Sequence, residues 1–344
     1  MQQPSNRQWI WCTFVGLLSL CYVHVFAQEN LLNCSDSTFC VPSVSGMPRS
    51  KGIILEYERV VDYGIKAKSS NPVIGEVEDG GIRVNRQIQF VCRLPLYNKE
   101  HLKIAAGVRY FTEEFRFDNT EYPLFQSLEE RPLKSIGLSA YIVKSFRGNK
   151  FFLLKLGADL NGDYNQDIAP NSTFLRYSAV PLFGWKRNEQ IAYGLGIAYS
   201  YVFGNPRFIP VFAYNNTFNR KWGLEMLLPG SIRLRHNMTE KDIFYLTTKI
   251  NGASYRISLE NDTAFSKYDI LDLKKSEIRA FATYEREIYD FVWFGVNAGL
   301  RKNLSFDLTD SLTGGGETII EGDVRRAFFF NVSLFLVPPR KLLE

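Results

Sequence analysis

The segment from Ile191 to Gly204, IAYGLGIAYSYVFG, alternates strictly between bulky and small side chains. Successive side chains of a β-strand point to opposite faces, so this alternation predicts a strand. In a water-soluble sheet, the second face of a half-buried strand usually carries polar and charged residues. Here the second face holds only glycine, alanine, serine and one valine. The pattern therefore indicates a small-residue face toward a crowded interior or narrow lumen, and a bulky face toward another sheet or lipid.

The same alternation returns along most of the chain, which is also rich in aromatic residues (15%), a composition that favours strands. We predict strands at 52–68, 80–96, 101–117, 133–146, 150–163, 173–187, 190–204, 207–218, 220–237, 242–250, 253–261, 275–288, 291–304 and 324–337. Outside the N-terminus, no stretch shows convincing helical periodicity. The sequence therefore predicts an all-β protein.

The predicted connections alternate in length along the chain. Long loops follow odd-numbered strands, as at 69–79 and 118–132, whereas short turns follow even-numbered ones, as at 98–100 and 147–149. Short turns on one side and long loops on the other, with an even strand count, are typical of outer-membrane barrels. We expect an antiparallel up-and-down transmembrane β-barrel of about 14 strands. The count treats 220–237 as one strand bent at Pro229-Gly230 and Asn251-Gly252 as a hairpin turn; an error at either place would give about 12 or 16.

The N-terminus resembles a secretory signal peptide, with an apolar core followed by small residues before a cleavage site after Ala27. A lipoprotein modified at Cys21 and an uncleaved anchor helix are the alternatives. We expect a signal peptide at 1–27, a periplasmic segment at 28–51, the barrel at 52–338 and a tail at 339–344. In an oxidising compartment Cys34 and Cys40 are disulfide candidates, although they can equally be an incidental pair.

One stretch resembles a known family. The run from Pro181 to Asn237 contains a Tyr-x-x-Gly strand, a strand that begins with proline, and a Trp-x-x-x-x-Leu-Pro segment from Trp222 to Pro229. A Gly-x-x-Tyr-Arg motif follows at Gly252–Arg256. These features resemble a family of uncharacterised outer-membrane β-barrel proteins from Bacteroidota. The resemblance implies the fold and the location, since the family has no assigned activity.

Charged residues fall opposite the apolar rows, so they are expected to point into the lumen. An arginine or lysine on the lipid face would cost about 2–4 kcal/mol at the midplane. Two interpretations stay open: a passage that selects anionic or zwitterionic solutes, or an Arg–Glu network that fills the barrel and holds it rigid. The lumen-lining candidates are Arg83, Arg93, Arg109, Arg233, Arg235, Arg256, Glu260, Arg279 and Glu285.

Other chemistry is weakly indicated. Asp159, Asn161 and Asp163 alternate at the start of a long loop, which partly matches a calcium loop, but the glycine and the bidentate glutamate of such a loop are missing. A simple Asx-rich turn is the alternative. His236 beside Asn237 would suit a lipid-modifying enzyme, yet no nucleophile stands at a supporting spacing. We expect no enzyme activity, no cofactor and no metal.

A net charge of +5 without a Lys/Arg run gives no nucleic-acid footprint. The expected protein is a monomer in outer-membrane lipid, inserted by the barrel-assembly machinery, that is either structural or a narrow channel for small solutes. A soluble exported barrel that binds an apolar ligand is the alternative, and a lipid-modifying enzyme is a more distant one.

Overall fold

The computed structural model of the protein describes residues 44–99, 101–118, 121–259, 264–268, 270–310 and 316–340. The chain forms one sheet of 16 strand segments. They are β1 (Ile53–Val60), β2 (Tyr63–Ser69), β3 (Glu76–Lys99), β4 (Leu102–Phe117), β5 (Leu133–Phe146), β6 (Lys150–Gly162), β7 (Leu175–Lys186), β8 (Ile191–Ser200), β9 (Arg207–Thr217), β10 (Trp222–Leu228), β11 (Ser231–Asn237), β12 (Asp242–Arg256), β13 (Asp272–Tyr289), β14 (Val292–Thr309), β15 (Thr318–Val324) and β16 (Ala327–Leu336).

These segments make a closed antiparallel barrel of 14 strands, which confirms the predicted fold class. β1 and β2 pair one after the other with β3, so together they form a single strand. β15 and β16 pair in the same way with β14. The barrel closes because β1 also pairs with β16 and β2 with β15, each antiparallel.

The alternation in β8 separates the two surfaces of the wall. Leu195 is 59% exposed on the outside, and Ile197 is 55% exposed beside it. Ala192 and Ala198 are buried inside, where the apolar side chains of neighbouring strands, such as Leu182, fill the space that the small residues leave. The row of small residues in β8 therefore faces the densely filled interior of the barrel.

The strand pattern differs from the prediction in three places, and two of these errors compensate in the count. The end of β14, up to Thr309, and β15 (Thr318–Val324) lie where a loop was predicted between residues 304 and 324. The stretch 220–237 is a hairpin: β10 and β11 pair with each other and turn at Pro229-Gly230. Conversely, Asn251 and Gly252 lie inside β12, where they pair with Glu277 and Ser276 of β13. A Cβ at Gly252 would collide with the Val202 carbonyl oxygen, so glycine here serves a close approach of two chain segments, whereas the sequence suggests a turn.

The connection between β4 and β5 contains one short helix, α1 (Pro123–Glu130), which no helical periodicity in the sequence indicated. Proline occupies the first turn, where its missing N–H costs nothing. Leu124, Phe125 and Leu128 are buried on one helix face. Eight residues are too few to show a clear period in the sequence, so burial against the barrel decides the helix. Among the residues that the structure describes, no helix is long and apolar enough to cross a membrane.

The barrel is pinched at its long-loop end, the end that carries the connections after β2, β4, β6 and β12. The end of β6 meets the end of β12 through a parallel bridge between Gly162 and Arg256. Inside the pinched end lies a large apolar cluster, here called the upper core. It is built from α1, the surrounding strands and residues that follow β12, namely Ile257, Leu259, Phe265 and Leu271. It also includes Phe115, Phe125, Leu273, Phe306 and Phe329.

The short-turn end is crossed by the first described residues, 44–51, here called the N-terminal strap. The Ser45 backbone N–H donates to the Glu189 carbonyl oxygen, and the Thr217 hydroxyl donates to the Ser45 carbonyl oxygen. On the other side of the opening, Arg49 Nη2 lies 3.1 Å from a Glu287 carboxylate oxygen, and Arg49 Nη1 lies 3.0 Å from one of Asp290. The strap therefore spans the mouth of the barrel.

Candidate functional site

A cavity of about 300 Å³ lies inside the barrel, and Tyr255 of the upper core is among its lining residues. Arg93, another lining residue, donates to the Lys51 carbonyl oxygen of the strap at 3.4 Å. Residues of ten strand segments line the cavity, from β1 and β3–β8 on one side to β12, β13 and β16 on the other. Its volume is at the lower end of the range for small-molecule pockets. Unlike most such pockets, it is lined mainly by polar and charged side chains.

A row of small residues across four neighbouring strands makes room for the cavity. Gly107 of β4 pairs with Ser139 of β5, Ser139 with Gly157 of β6, and Gly157 with Ser178 of β7. All but Gly107 line the cavity. Because none of these side chains extends into the lumen, the charged side chains above and below the row border an open space.

The wall formed by β3–β6 is basic. Arg93, Arg109 and Lys155 line the cavity there, together with two carboxylates, Asp159 and Glu113. An Arg109 nitrogen lies 2.9 Å from an Asp159 oxygen and donates to the Ser135 hydroxyl at 3.0 Å. Lys155 Nζ lies 5.8 Å from the centre of the Tyr141 ring. Three cations against two carboxylates leave this wall with a net positive charge.

The opposite wall carries a buried ionic network. Arg279 donates to Glu277 at 2.5 Å and to Glu58 at 2.8 Å. Glu113 reaches across from β4 and accepts from Lys275 Nζ at 2.5 and 2.6 Å. Arg301 Nη1 lies 3.5 Å from Glu277. Breaking a buried network of this kind is costly, because each remaining charge is left in a low-dielectric interior.

The barrel wall is incomplete beside the cavity, because two of its strands are short. β10 and β11 end at Leu228 and Ser231, so the ends of β9 and β12 toward the long loops have no neighbour between them. The resulting wall gap is filled by the 201–206 segment. Tyr201 and Val202 border the cavity there, and Gly204 packs against Lys274 and Ser305. This segment therefore stands where a strand would otherwise close the cavity.

Most of the predicted lumen candidates lie inside the barrel. Arg93, Arg109 and Arg279 line the cavity. Arg235 is fully buried, and its Nε lies 3.1 Å from a Glu225 oxygen that belongs to the same short hairpin. The remaining three lie nearer the ends: Arg233 beside Glu225, Arg256 donating to the Leu271 oxygen, and Glu285 2.5 Å from Lys51 of the strap.

Arg83 was wrongly predicted to face the lumen. Its side chain is 71% exposed and forms an ion pair with Asp118 on the outer surface. A β-bulge between Ile82 and Val84 shifts the register against β4, so the alternation changes face at this point and Ile82 turns inward. Glu260 and the disulfide candidates Cys34 and Cys40 lie outside the described residues.

Two of the three metal candidates, Asp159 and Asp163, are held by other partners, whereas the buried Asn161 lines the cavity. Asp159 binds Arg109. Asp163 lies 3.2 Å from Arg131 and accepts a 3.0 Å hydrogen bond from the Ser258 backbone. Burial raises the pKa of the Asp163 carboxyl, and these two partners oppose the rise. In the described part of the chain, no group of three or more His, Cys, Asp or Glu side chains is arranged as a metal site.

His236, the one histidine considered for catalysis, stacks on Trp222 with ring centres 4.2 Å apart. It lies at the short-turn end of the β10–β11 pair.

The sequence did not single out Lys155, Glu113, Lys275 and Glu277. The sequence did contain an indication for Lys155, because Lys155, Gly157 and Asp159 occupy alternate positions of β6 and therefore share one face. The other three lie on polar rows of long strands, where alternation gives the face but not which side chains meet across the lumen.

A family profile described as Domain of unknown function (DUF6268) matches residues 76–288. The match covers more than half of the chain, and the protein belongs to this family. The family carries no assigned activity. No curated protein matches the chain.

Several solved structures share the barrel architecture at very low sequence identity. The COG4313 outer membrane channel from Pseudomonas putida F1 is 10% identical, with a TM-score of 0.43 over 85% of this chain and 97% of that one. The KdgM porin in complex with disordered oligogalacturonate is 7% identical, with a TM-score of 0.34 over 83% and 99%. A Pseudomonas aeruginosa FadL homologue is 8% identical, with a TM-score of 0.34 over 83% and 90%. Similarity this low carries no argument about what the present chain does.

Proposed function

We propose that the protein is an integral outer-membrane barrel that passes small solutes through a narrow, gated route. The main support is the polar cavity inside a closed barrel, which Tyr201 and Val202 of the 201–206 segment border at the wall gap. The strap crosses the short-turn mouth of the same barrel. The upper core blocks a straight path. The proposed route therefore enters past the strap, crosses the cavity and leaves beside the upper core through the wall gap.

The outer surface supports the membrane location. Large apolar side chains are exposed on nearly every strand, among them Leu138 at 63%, Leu156, Leu246 and Leu300. An apolar belt around a closed barrel is what a spanning sheet requires, because closure leaves no backbone edge unpaired. A soluble barrel that binds an apolar ligand would reverse this arrangement, with its polar face outside.

Heat-modifiable migration tests the location. Purified outer membranes are extracted, and unheated and boiled samples are compared on a detergent gel. We expect the protein only in the outer-membrane fraction and a large shift between the two samples. Recovery of the protein in buffer, with no shift, would refute the membrane proposal. Insertion as a monomer by the barrel-assembly machinery belongs to the same proposal.

Planar-bilayer recording tests the passage. The double variant Arg49→Ala/Lys51→Ala removes the strap's ionic contacts to Glu287, Asp290 and Glu285. We expect rare, small openings in the wild type and more frequent openings in the variant. The matched control is Arg116→Ala, which removes an arginine from an ion pair with Glu129 on the outer surface and is expected to leave conductance unchanged.

A second function is favoured by the buried ionic network and the upper core, which fill much of the lumen. In that case the barrel is structural and does not conduct. Silence of the wild type and of the strap variant, with both proteins heat-modifiable, would support this function against the passage.

A further inference from the structure

We propose that the cavity is a binding site for a small organic acid that also carries hydroxyl or ammonium groups. This inference rests on the proposed function only for how the solute reaches the site.

The acidic group would bind at the basic wall. Arg93, Arg109 and Lys155 stand around the small-residue row, with Asp159 paired to Arg109. The row of Gly107, Ser139, Gly157 and Ser178 keeps the space in front of them open. Charge-assisted hydrogen bonds from arginine and lysine to a carboxylate or phosphate are shorter and stronger than neutral ones. A low-dielectric interior strengthens them further.

The donor groups of the solute would bind at two buried acceptors that the protein leaves unused. Among the described residues, Glu58 Oε1 and Asn161 Oδ1 have no hydrogen-bond partner, although both residues are buried and line the cavity. The other oxygen of Glu58 is engaged by Arg279 at 2.8 Å. A buried acceptor without a donor destabilises the protein, because it has lost its hydrogen bonds to water. A hydroxyl or ammonium group of the solute would remove this destabilisation.

The two sides of the cavity differ in net charge. The side formed by β3–β7 carries Arg93, Arg109, Lys155 and Arg176 against Glu113 and Asp159, whereas the facing side has Glu56, Glu58 and Glu277 against Lys249, Lys275 and Arg279. A simple anion such as acetate uses only one side. A neutral polyol uses only the acceptors. A hydroxy acid or an amino acid uses both, and this combination defines the class.

The test is calorimetric titration of the detergent-purified protein with gluconate, glutamate, acetate and sorbitol. We expect gluconate, glutamate or both to bind at least tenfold more tightly than acetate and sorbitol. Lys155→Gln should weaken that binding at least tenfold, and Lys155→Arg, which keeps the charge, should restore most of it. Glu58→Gln should weaken glutamate binding more than gluconate binding. Arg116→Gln on the outer surface is the control.

Two results would overturn the site: no binding of any probe to protein that is still heat-modifiable, or acetate binding as tightly as gluconate and glutamate. The titration needs no conduction, so the two proposals fail separately. Binding of a probe without any bilayer conductance would refute the solute passage and support the binding site. Bilayer conductance without binding of any probe would refute the binding site and support the passage.

Discussion

The carboxylate of Glu113 is predicted to be a main support of the barrel interior. Its side chain is completely buried. It accepts hydrogen bonds from Asn85 and Gln87 at 2.9 Å each and from Lys275 at 2.5 Å, and Arg301 lies 4.0 Å away. Glu113→Ala would leave two buried cations with less compensation and two amide donors without their acceptor.

Removing one partner of a buried ion pair typically costs about 3–5 kcal/mol. That range corresponds to roughly two to three and a half powers of ten in the folding equilibrium. The neighbouring Glu114 is the matched control: it faces outward, its side chain is 43% exposed, and it pairs with Arg86 at 2.8 Å. Glu114→Ala should cost about 0–1 kcal/mol, as exposed pairs do.

The assay is urea unfolding of both variants in lipid vesicles, followed by tryptophan fluorescence. Glu113→Gln/Lys275→Met, which removes both charges of the pair, should recover part of the loss, because no uncompensated lysine remains. Equal destabilisation by Glu113→Ala and Glu114→Ala would refute this account of the interior.

Two further predictions test the wall. Leu138→Arg places a cation on the exposed apolar face and should lower the unfolding free energy by about 2–4 kcal/mol, as an arginine near the midplane does. Gln166→Arg, in an exposed loop, should not lower it. Equal urea midpoints for the two variants would contradict the lipid-facing assignment of Leu138. Replacing residues 201–206 by Asn-Gly should open the wall gap and raise bilayer conductance, while removal of 166–169 should not. Unchanged conductance in both would exclude the wall gap as an exit.

The architecture of the wall could be read from the sequence because the period-two alternation is local. The alternation within each strand shows which side chains face inward and which face outward, as in β8, where Leu195 lies outside and Ala198 inside. The alternation of long loops and short turns then gave the up-and-down order and the even count. A local signal fails where one extra residue changes the face, and Arg83 illustrates this beyond the bulge at Ile82/Val84. It also fails where glycine and proline have more than one use, as at Gly252 and Pro229.

The sequence by itself therefore determined that the chain is a closed β-barrel, where its strands lie within a few residues, and that its interior is charged. Only the tertiary structure decided which charges meet, because Glu113 and Lys275 are 162 positions apart and come together only when the barrel closes. It also decided the pinch between Gly162 and Arg256, the insertion of α1 into the upper core and the path of the strap. These contacts join segments far apart in the chain, and their energy comes from burial and from charge pairing in a low-dielectric interior, neither of which exists until the wall is complete.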